Sequence, residues 1–267
     1  MKFLAVDVGT GTQDVLLWDA RLSLENGYKL VLPSPTLMIR RKIQIAIKQK
    51  QALVLTGVMM GGGPSGWAVE DALKAGCRVY ATPQAARTLD DDLERVRELG
   101  VILLSEDEVA RLPEGVARIC MQDFDFDLLR RTFALYRIGL RDLAAVAVAV
   151  FDHGNAPVEE SDRKFRFEYL KKRVLEENRL SAFAYISESI PGDLTRMQAV
   201  AESAGGLDCP LVVMDSAPAA VLGATFDPHV ADMPAKLIVN LGNMHTLSFR
   251  LGAEGIAGIF EHHTPML

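Results

Sequence analysis

The sequence predicts an α/β protein in which mixed sheets are flanked by helices. Three observations carry that expectation. Apolar runs of strand length alternate with longer segments of helical periodicity along nearly the whole chain, the pattern of layered α/β architecture. The run Leu143-Ala-Ala-Val-Ala-Val-Ala-Val-Phe151 is small and apolar throughout, as expected of a strand covered on both faces. One strand–turn–strand unit also occurs twice, near the two ends of the chain, with Gly9 aligned to Gly242 and Asp7 to Asn240.

Taken in order, residues 3–8 and 15–18 read as strands around the turn Gly9-Thr10-Gly11-Thr12. Residues 36–49 read as a helix, 52–56 as a strand and 65–75 as a helix, with a Gly-rich stretch at 57–66 between the last two. A strand at 78–81, a helix at 84–99, a strand at 101–104 and a helix at 125–138 follow. The apolar strand at 144–151 leads to helices at 162–177 and 194–204, a strand at 211–214 and a helix at 217–224. Strands at 237–241 and 247–251 enclose the second turn, and 256–260 reads as the third strand of an unfinished sheet. The expected division is a first lobe over 1–235, with inserted segments and a connecting helix, and the start of a truncated second lobe over 236–267.

A turn rich in Gly and Thr presents successive backbone N–H groups as a concave anion site, and Gly lets the backbone approach a ligand closely. A carboxylate at the strand tip, Asp7, suits Mg²⁺, which takes oxygen ligands and keeps several waters. Two opposed turns would hold a polyphosphate from both sides. Gly9, Thr10, Gly11 and Thr12 would lie on one side, and Asn240, Gly242, Asn243, His245 and Thr246 on the other. The plain alternative is two ordinary hairpins whose glycines only shape the turn.

Asp7-Val-Gly9-Thr10-Gly11-Thr12, followed by Asp14, resembles the first phosphate motif of the actin, heat-shock chaperone and sugar kinase group of ATPases. Val239-Asn240-Leu-Gly242-Asn243-Met-His245-Thr246 resembles the second, and the segment from Met214 to Ala224 resembles the connecting helix. The resemblance implies actin-like ATPase lobes of ribonuclease H-like type, with ATP and Mg²⁺ as cofactors. It implies Asp7 as the catalytic metal-binding residue and Asp215 beside the attacking water or acceptor hydroxyl. Two departures stand out: Asn240 gives a metal no charge where Asp is usual, and only Gln13 stands where a cation or polar residue follows the first turn.

More narrowly, the chain resembles an uncharacterised family labelled pyruvate formate-lyase activating enzyme-related. The resemblance runs through Asp152-His153-Gly154-Asn155-Ala156-Pro157, through Glu188-Ser189-Ile190-Pro191 with Leu194-Thr195-Arg196-Met197, and through Gly258-Ile259-Phe260-Glu261-His262-His263-Thr264. A radical activase needs closely spaced cysteines around an iron–sulfur cluster. Cys77, Cys120 and Cys209 are scattered, so the label does not describe the chemistry.

Residues 57–66 lie between a strand and a helix, where Gly-rich turns place phosphates on a helix N-terminus. The stretch lacks the Gly-x-Gly-x-x-Gly fingerprint, so an NAD-type dinucleotide site is the alternative here rather than the main reading. By the sugar kinase resemblance, Gly61, Gly62 and Gly63 line a substrate or acceptor pocket; a flexible surface loop is the other reading. Asp152 and His153 end the apolar strand, where α/β proteins place ligand contacts. His153 is the candidate general base or phosphate contact, with a capping role left open. Neighbouring side chains in Glu261-His262-His263 point to opposite faces of a strand, so a shared metal would need partners such as His245; surface exposure, or a role near substrate, is the preferred reading. Asp123, Asp125 and Asp127 read as an acid-rich helix start, and the cationic run from Ser161 to Arg166 as a solvated face, with an anion-contacting arginine the alternative.

At 267 residues and 29.2 kDa the chain can bury roughly 70–75% of its unfolded surface. Net charge of −6 and a pI of about 5.5 argue against nucleic-acid binding. Scattered cysteines, no signal-like N-terminus and no long apolar run point to a cytoplasmic protein that does not span a membrane. The expected partners are a nucleotide and an unidentified small-molecule or protein acceptor. Whether ATP is turned over, or only bound by a regulatory scaffold, stays open at this stage.

Overall fold

The computed structural model describes residues 1–157 and 160–263. The chain opens with an antiparallel meander: β1 (Lys2–Val8), β2 (Thr12–Asp19) and β3 (Tyr28–Pro33). It then builds a separate parallel unit. This unit comprises α1 (Pro35–Lys48), β4 (Leu53–Gly57), α2 (Pro64–Lys74), β5 (Val79–Ala81), α3 (Pro83–Ala86) and α4 (Leu93–Glu98). It continues with β6 (Ile102–Leu103), α5 (Glu106–Ala110), β7 (Ala117–Met121) and α6 (Phe126–Leu135). The chain returns through β8 (Leu143–Val150), α7 (Asp162–Glu176), β9 (Ala184–Ile186), α8 (Thr195–Ser203), β10 (Leu211–Asp215) and α9 (Ser216–Ala224). After the short α10 (Pro228–Ala231), the strands β11 (Lys236–Leu241), β12 (His245–Gly252) and β13 (Gly255–His263) close the described chain.

Three sheets result, in the orders β3-β2-β1-β8-β10-β9, β6-β5-β4-β7 and β11-β12-β13. In the first, β8 lies parallel to β1 and β10 parallel to β8, while β2, β3 and β9 run antiparallel to their neighbours. The protein is thus a mixed α/β structure with several sheets flanked by helices.

The core of the first sheet is one-sided. Leu4, Val6 and Val8 of β1, Val15 and Leu17 of β2, and Val146, Val148 and Val150 of β8 pack with Leu129 and Phe133 of α6 and Met197 and Val200 of α8. The alternation of period two puts Ala145, Ala147 and Ala149 on the other face, where Ala147 is exposed. The expectation that this strand is covered on both faces is therefore corrected: α6 and α8 occupy one side only, and small alanines line the other.

The second sheet has its own core, with Ile39, Ile43 and Ala46 of α1 and Ala68, Val69 and Ala72 of α2 against Leu53, Leu55, Val79, Ile119 and Met121. The third sheet buries Leu247, Phe249, Leu251 and Ile256 against Leu170 of α7 and Ala217 and Val221 of α9. Its outer face shows Leu237, Val239, Leu241 and Phe260 to solvent.

Local chemistry explains most boundaries. Ser34 caps α1 by accepting from Leu37 N at 3.3 Å, with Pro35 at the first helical position. Asp125 caps α6 through Leu128 N at 2.8 Å. The single helix expected over 84–99 is two short ones. Asp90 accepts from Asp92 N and Asp92 caps α4, so local carboxylate bonds to the backbone displace the helical ladder between them. Strands β3, β7 and β9 were not expected; each is short and lacks a long apolar run. Among the described residues no helix is long and apolar enough to cross a membrane.

Candidate functional site

The two turns are built alike. Gly9 N donates to Thr12 O at 3.0 Å, and Gly242 N donates to His245 O at 2.9 Å. They also face each other. A Cβ placed on Gly11 would lie 2.3 Å from Asn243 Nδ2, so the Asn243 side chain packs directly against the glycine of the opposite turn. The first turn is anchored by Ser34, whose Oγ donates to Thr10 O at 2.6 Å and whose N donates to Gly11 O at 3.2 Å.

Both turns line one cavity of about 1020 Å³. Asp7, Gly9, Thr10, Gly11 and Thr12 form one wall; Asn240, Gly242, Asn243 and His245 form another. Gly61, Gly62 and Gly63 of the second sheet, and Asp152 and His153 at the tip of β8, complete it. Thr246 and Asp215 do not line it.

Asp7 is the last residue but one of β1 and stands opposite Asp14 in register. Partial burial pushes its pKa up and Asp14 adds to the rise, while Ser216 Oγ, donating to it at 3.2 Å, works the other way. Two neighbouring carboxylates at a cavity mouth form an oxygen donor set of the kind hard cations take.

Asp152 is 3% exposed and fully engaged. Oδ1 accepts from Gly154 N at 2.8 Å and Oδ2 from Met197 N at 2.9 Å. It therefore caps α8 from another element, in place of Leu194, which has no side-chain acceptor. Burial raises its pKa to about 6. Burial, then the Arg166 charge, lowers that of His153 to about 3, so the ring is neutral. Its Nδ1 is buried without a partner, and a neutral ring of this kind serves as a hydrogen-bond partner.

Phe151 stacks on His245 with centroids 4.1 Å apart, and His245 meets His263 edge-on at 4.5 Å. Among the described residues no group of three His, Cys, Asp or Glu side chains could hold a metal ion. Thr264, the last residue of the 258–264 motif, lies outside the described residues.

The Gly-rich loop is pinned rather than flexible. Gly61 N donates to both oxygens of Asp123, which Arg196 Nε also meets at 2.7 Å; Arg196 Nη1 donates to Phe151 O at 2.6 Å. Thr36 Oγ1 donates to Gly62 O at 2.6 Å, and Met60 N to Thr88 Oγ1 at 3.1 Å. Gly57 and Gly63 take positive φ values of 88° and 59°, which favour glycine. Arg196 thus fastens the second sheet to the first beside the cavity.

Arg166 overturns the reading of 161–166 as a solvated face and fits the alternative of an anion-contacting arginine. It is 1% exposed, and its guanidinium makes two bonds to Asp215, at 2.6 and 3.0 Å, and one to Glu261 at 2.8 Å. It also donates to Asp152 O at 2.6 Å and lies 3.8 Å over the Phe151 ring. Burial works against its charge, but Asp215 and Glu261 outweigh that and hold its pKa above the usual value. Asp215 is occupied by this guanidinium and by Ala217 N at 3.0 Å, the cap of α9. The sequence reading held Arg166 only as a second choice and Glu261 only as a candidate metal or substrate neighbour, and it missed Arg196, Asp123 and Ser216 as parts of this region. An arginine on a charged helix start gives no signal when its partner is far along the chain.

The fold and site define a mixed α/β protein whose two glycine turns share one cavity with the Gly-rich loop. The model of the family described as "Putative pyruvate format-lyase activating enzyme (DUF1786)" matches residues 60–267, and the chain belongs to that family. A search of curated proteins finds no match. Among solved structures, a probable oxidoreductase from Mycobacterium abscessus is 13% identical over 75% of this chain and 72% of its own. Its TM-score is 0.18, too low to carry an argument.

Proposed function

We propose that this chain binds Mg-ATP as an actin-like ATPase or phosphotransferase, its acceptor a small molecule or protein. The observation that carries the reading is the pair of glycine turns. They have the same closing hydrogen bond, face each other at Gly11 and Asn243, and share a cavity with Asp7. The first sheet supports it too, since a three-stranded meander continued by the parallel strands β8 and β10 is the layout a ribonuclease H-like lobe requires. The apolar outer face of the third sheet supports reading 1–235 as the first lobe and 236–267 as the start of a second.

The residues present fit the ligand. Asp7, with Asp14 beside it, would hold Mg²⁺ through water. The backbone of residues 9–12 would cradle one phosphate group and that of residues 242–245 another, with glycine at each point of close approach; Thr246, expected there, stands outside the cavity. The bound nucleotide supplies the phosphoryl group, and such transfer depends on positioning and charge stabilisation. Asn240 contributes a neutral amide. Gly61, Gly62, Gly63, Asp152 and the neutral His153 would form the acceptor side, and Asp215 would act by fixing the start of α9, whose Ser216 bonds Asp7.

Calorimetric titration of ATP, with and without Mg²⁺, into the wild type and Asp7→Ala tests the reading. Binding should need the metal and be lost in the variant; binding indifferent to both would overturn it.

A further inference from the structure

Polar contacts through one side chain lead from the first turn to Glu261, which lies beside His245 of the second turn without a hydrogen bond to it. From Asp7 they run through Ser216 Oγ at 3.2 Å to the start of α9, where Asp215 is the cap. Asp215 takes two bonds from Arg166. Arg166 Nε continues to Glu261 Oε2 at 2.8 Å, and Glu261 Oε1 stands 3.5 Å from His245 Nδ1, inside the second turn. Burial pushes the Glu261 carboxyl up, but His245 and Arg166 outweigh it and hold it charged.

Arg166 comes from α7, Asp215 from the first sheet and Glu261 from the third, so the guanidinium is the tie between the sheets that carry the turns. A planar fork of five donors is needed for this: two bonds go to one carboxylate, one to another, and one to Asp152 O. Lysine, a compact point charge, cannot meet all of them.

We infer that Arg166 is a positioning residue that sets the gap between the two glycine turns, acting through Asp215 and Glu261. The geometric part stands by itself; its effect on ligand binding rests on the nucleotide reading above.

The test uses the full chain with Cys77, Cys120 and Cys209 replaced by Ser and nitroxide labels on Lys29→Cys and Arg250→Cys. Both sites are exposed, one on β3 and one on β12. Pulsed electron paramagnetic resonance should give one narrow distance distribution, broadened at least twofold by Arg166→Lys and less by Glu261→Gln, with circular dichroism unchanged. Mg-ATP affinity should fall about 10–100-fold in Arg166→Lys, as when a supporting partner of a ligand residue is lost. Wild-type distributions in both variants would overturn the inference, and broadening with wild-type Mg-ATP affinity would overturn its claimed effect on ligand binding. A parent chain that binds no Mg-ATP would instead sink the nucleotide reading, and the distance distributions would still decide the role of Arg166.

Discussion

The first and second turns share a hydrogen-bond pattern but sit on unlike foundations. The first joins two strands of a six-stranded sheet, is fastened by Ser34 from the following helix start, and has Asp7 at its base. The second joins two strands of a three-stranded sheet whose outer face is open, and it has Asn240 at its base. The first turn is held by its own sheet. The second depends on Phe249 and its neighbours against α7 and α9, and on the Arg166–Glu261 contact. A duplicated motif can thus keep its turn geometry while the support for it diverges.

The comparison breaks most sharply at Phe249, which is fully buried. Phe249→Ala should cost about 3–5 kcal/mol, read by urea unfolding. Hydrogen exchange should show amides of residues 242–246 losing protection while those of residues 9–12 keep it. Equal loss at both turns would mean that the third sheet has no separate dependence on its core.

The acid response sharpens it further. His153 has a lowered pKa, so its contribution is present above about 6.5 and is lost as pH falls toward about 3. Asp152 has a raised pKa, so its contribution is full below 3.8 and is lost as pH rises through about 6. The two oppose each other on adjacent residues. Removing the imidazole with His153→Phe should make the protein less sensitive to acid, by on the order of 2 kcal/mol at pH 4.5 relative to pH 7. Denaturant midpoints at the two pH values measure it; parallel shifts in both proteins would refute the burial of a neutral ring.

Much of the fold was legible because it is local. The strands at Phe3, Leu143, Leu211 and Leu237 announce themselves by composition, and the acids around Asp125 mark a helix start that Asp125 does cap. The paired turns were legible because glycine spacing repeats. What stayed hidden is non-local. No local pattern says that Arg166 will be buried between Asp215 and Glu261, or that Asp123 will leave the acid-rich helix start to hold Gly61 and Arg196. The division of 84–99 was lost to side chain–backbone bonds that compete with the helix, and the one-sided burial of β8 to the placement of α6 and α8.

The central claim is that the two turns grip one ligand across a gap that Gly11 keeps open. Calorimetric titration of Mg-ATP into Gly11→Ala, and into Gly11→Ala combined with Asn243→Gly, tests it most directly. The added methyl would meet the Asn243 side-chain amide at 2.3 Å and push it out of the place it holds between the turns. Affinity should fall about tenfold, equivalent to about 1.4 kcal/mol, and the second change should restore it to within about threefold. Wild-type affinity in the single variant, or no recovery in the double, would show that the turns do not act on the ligand together.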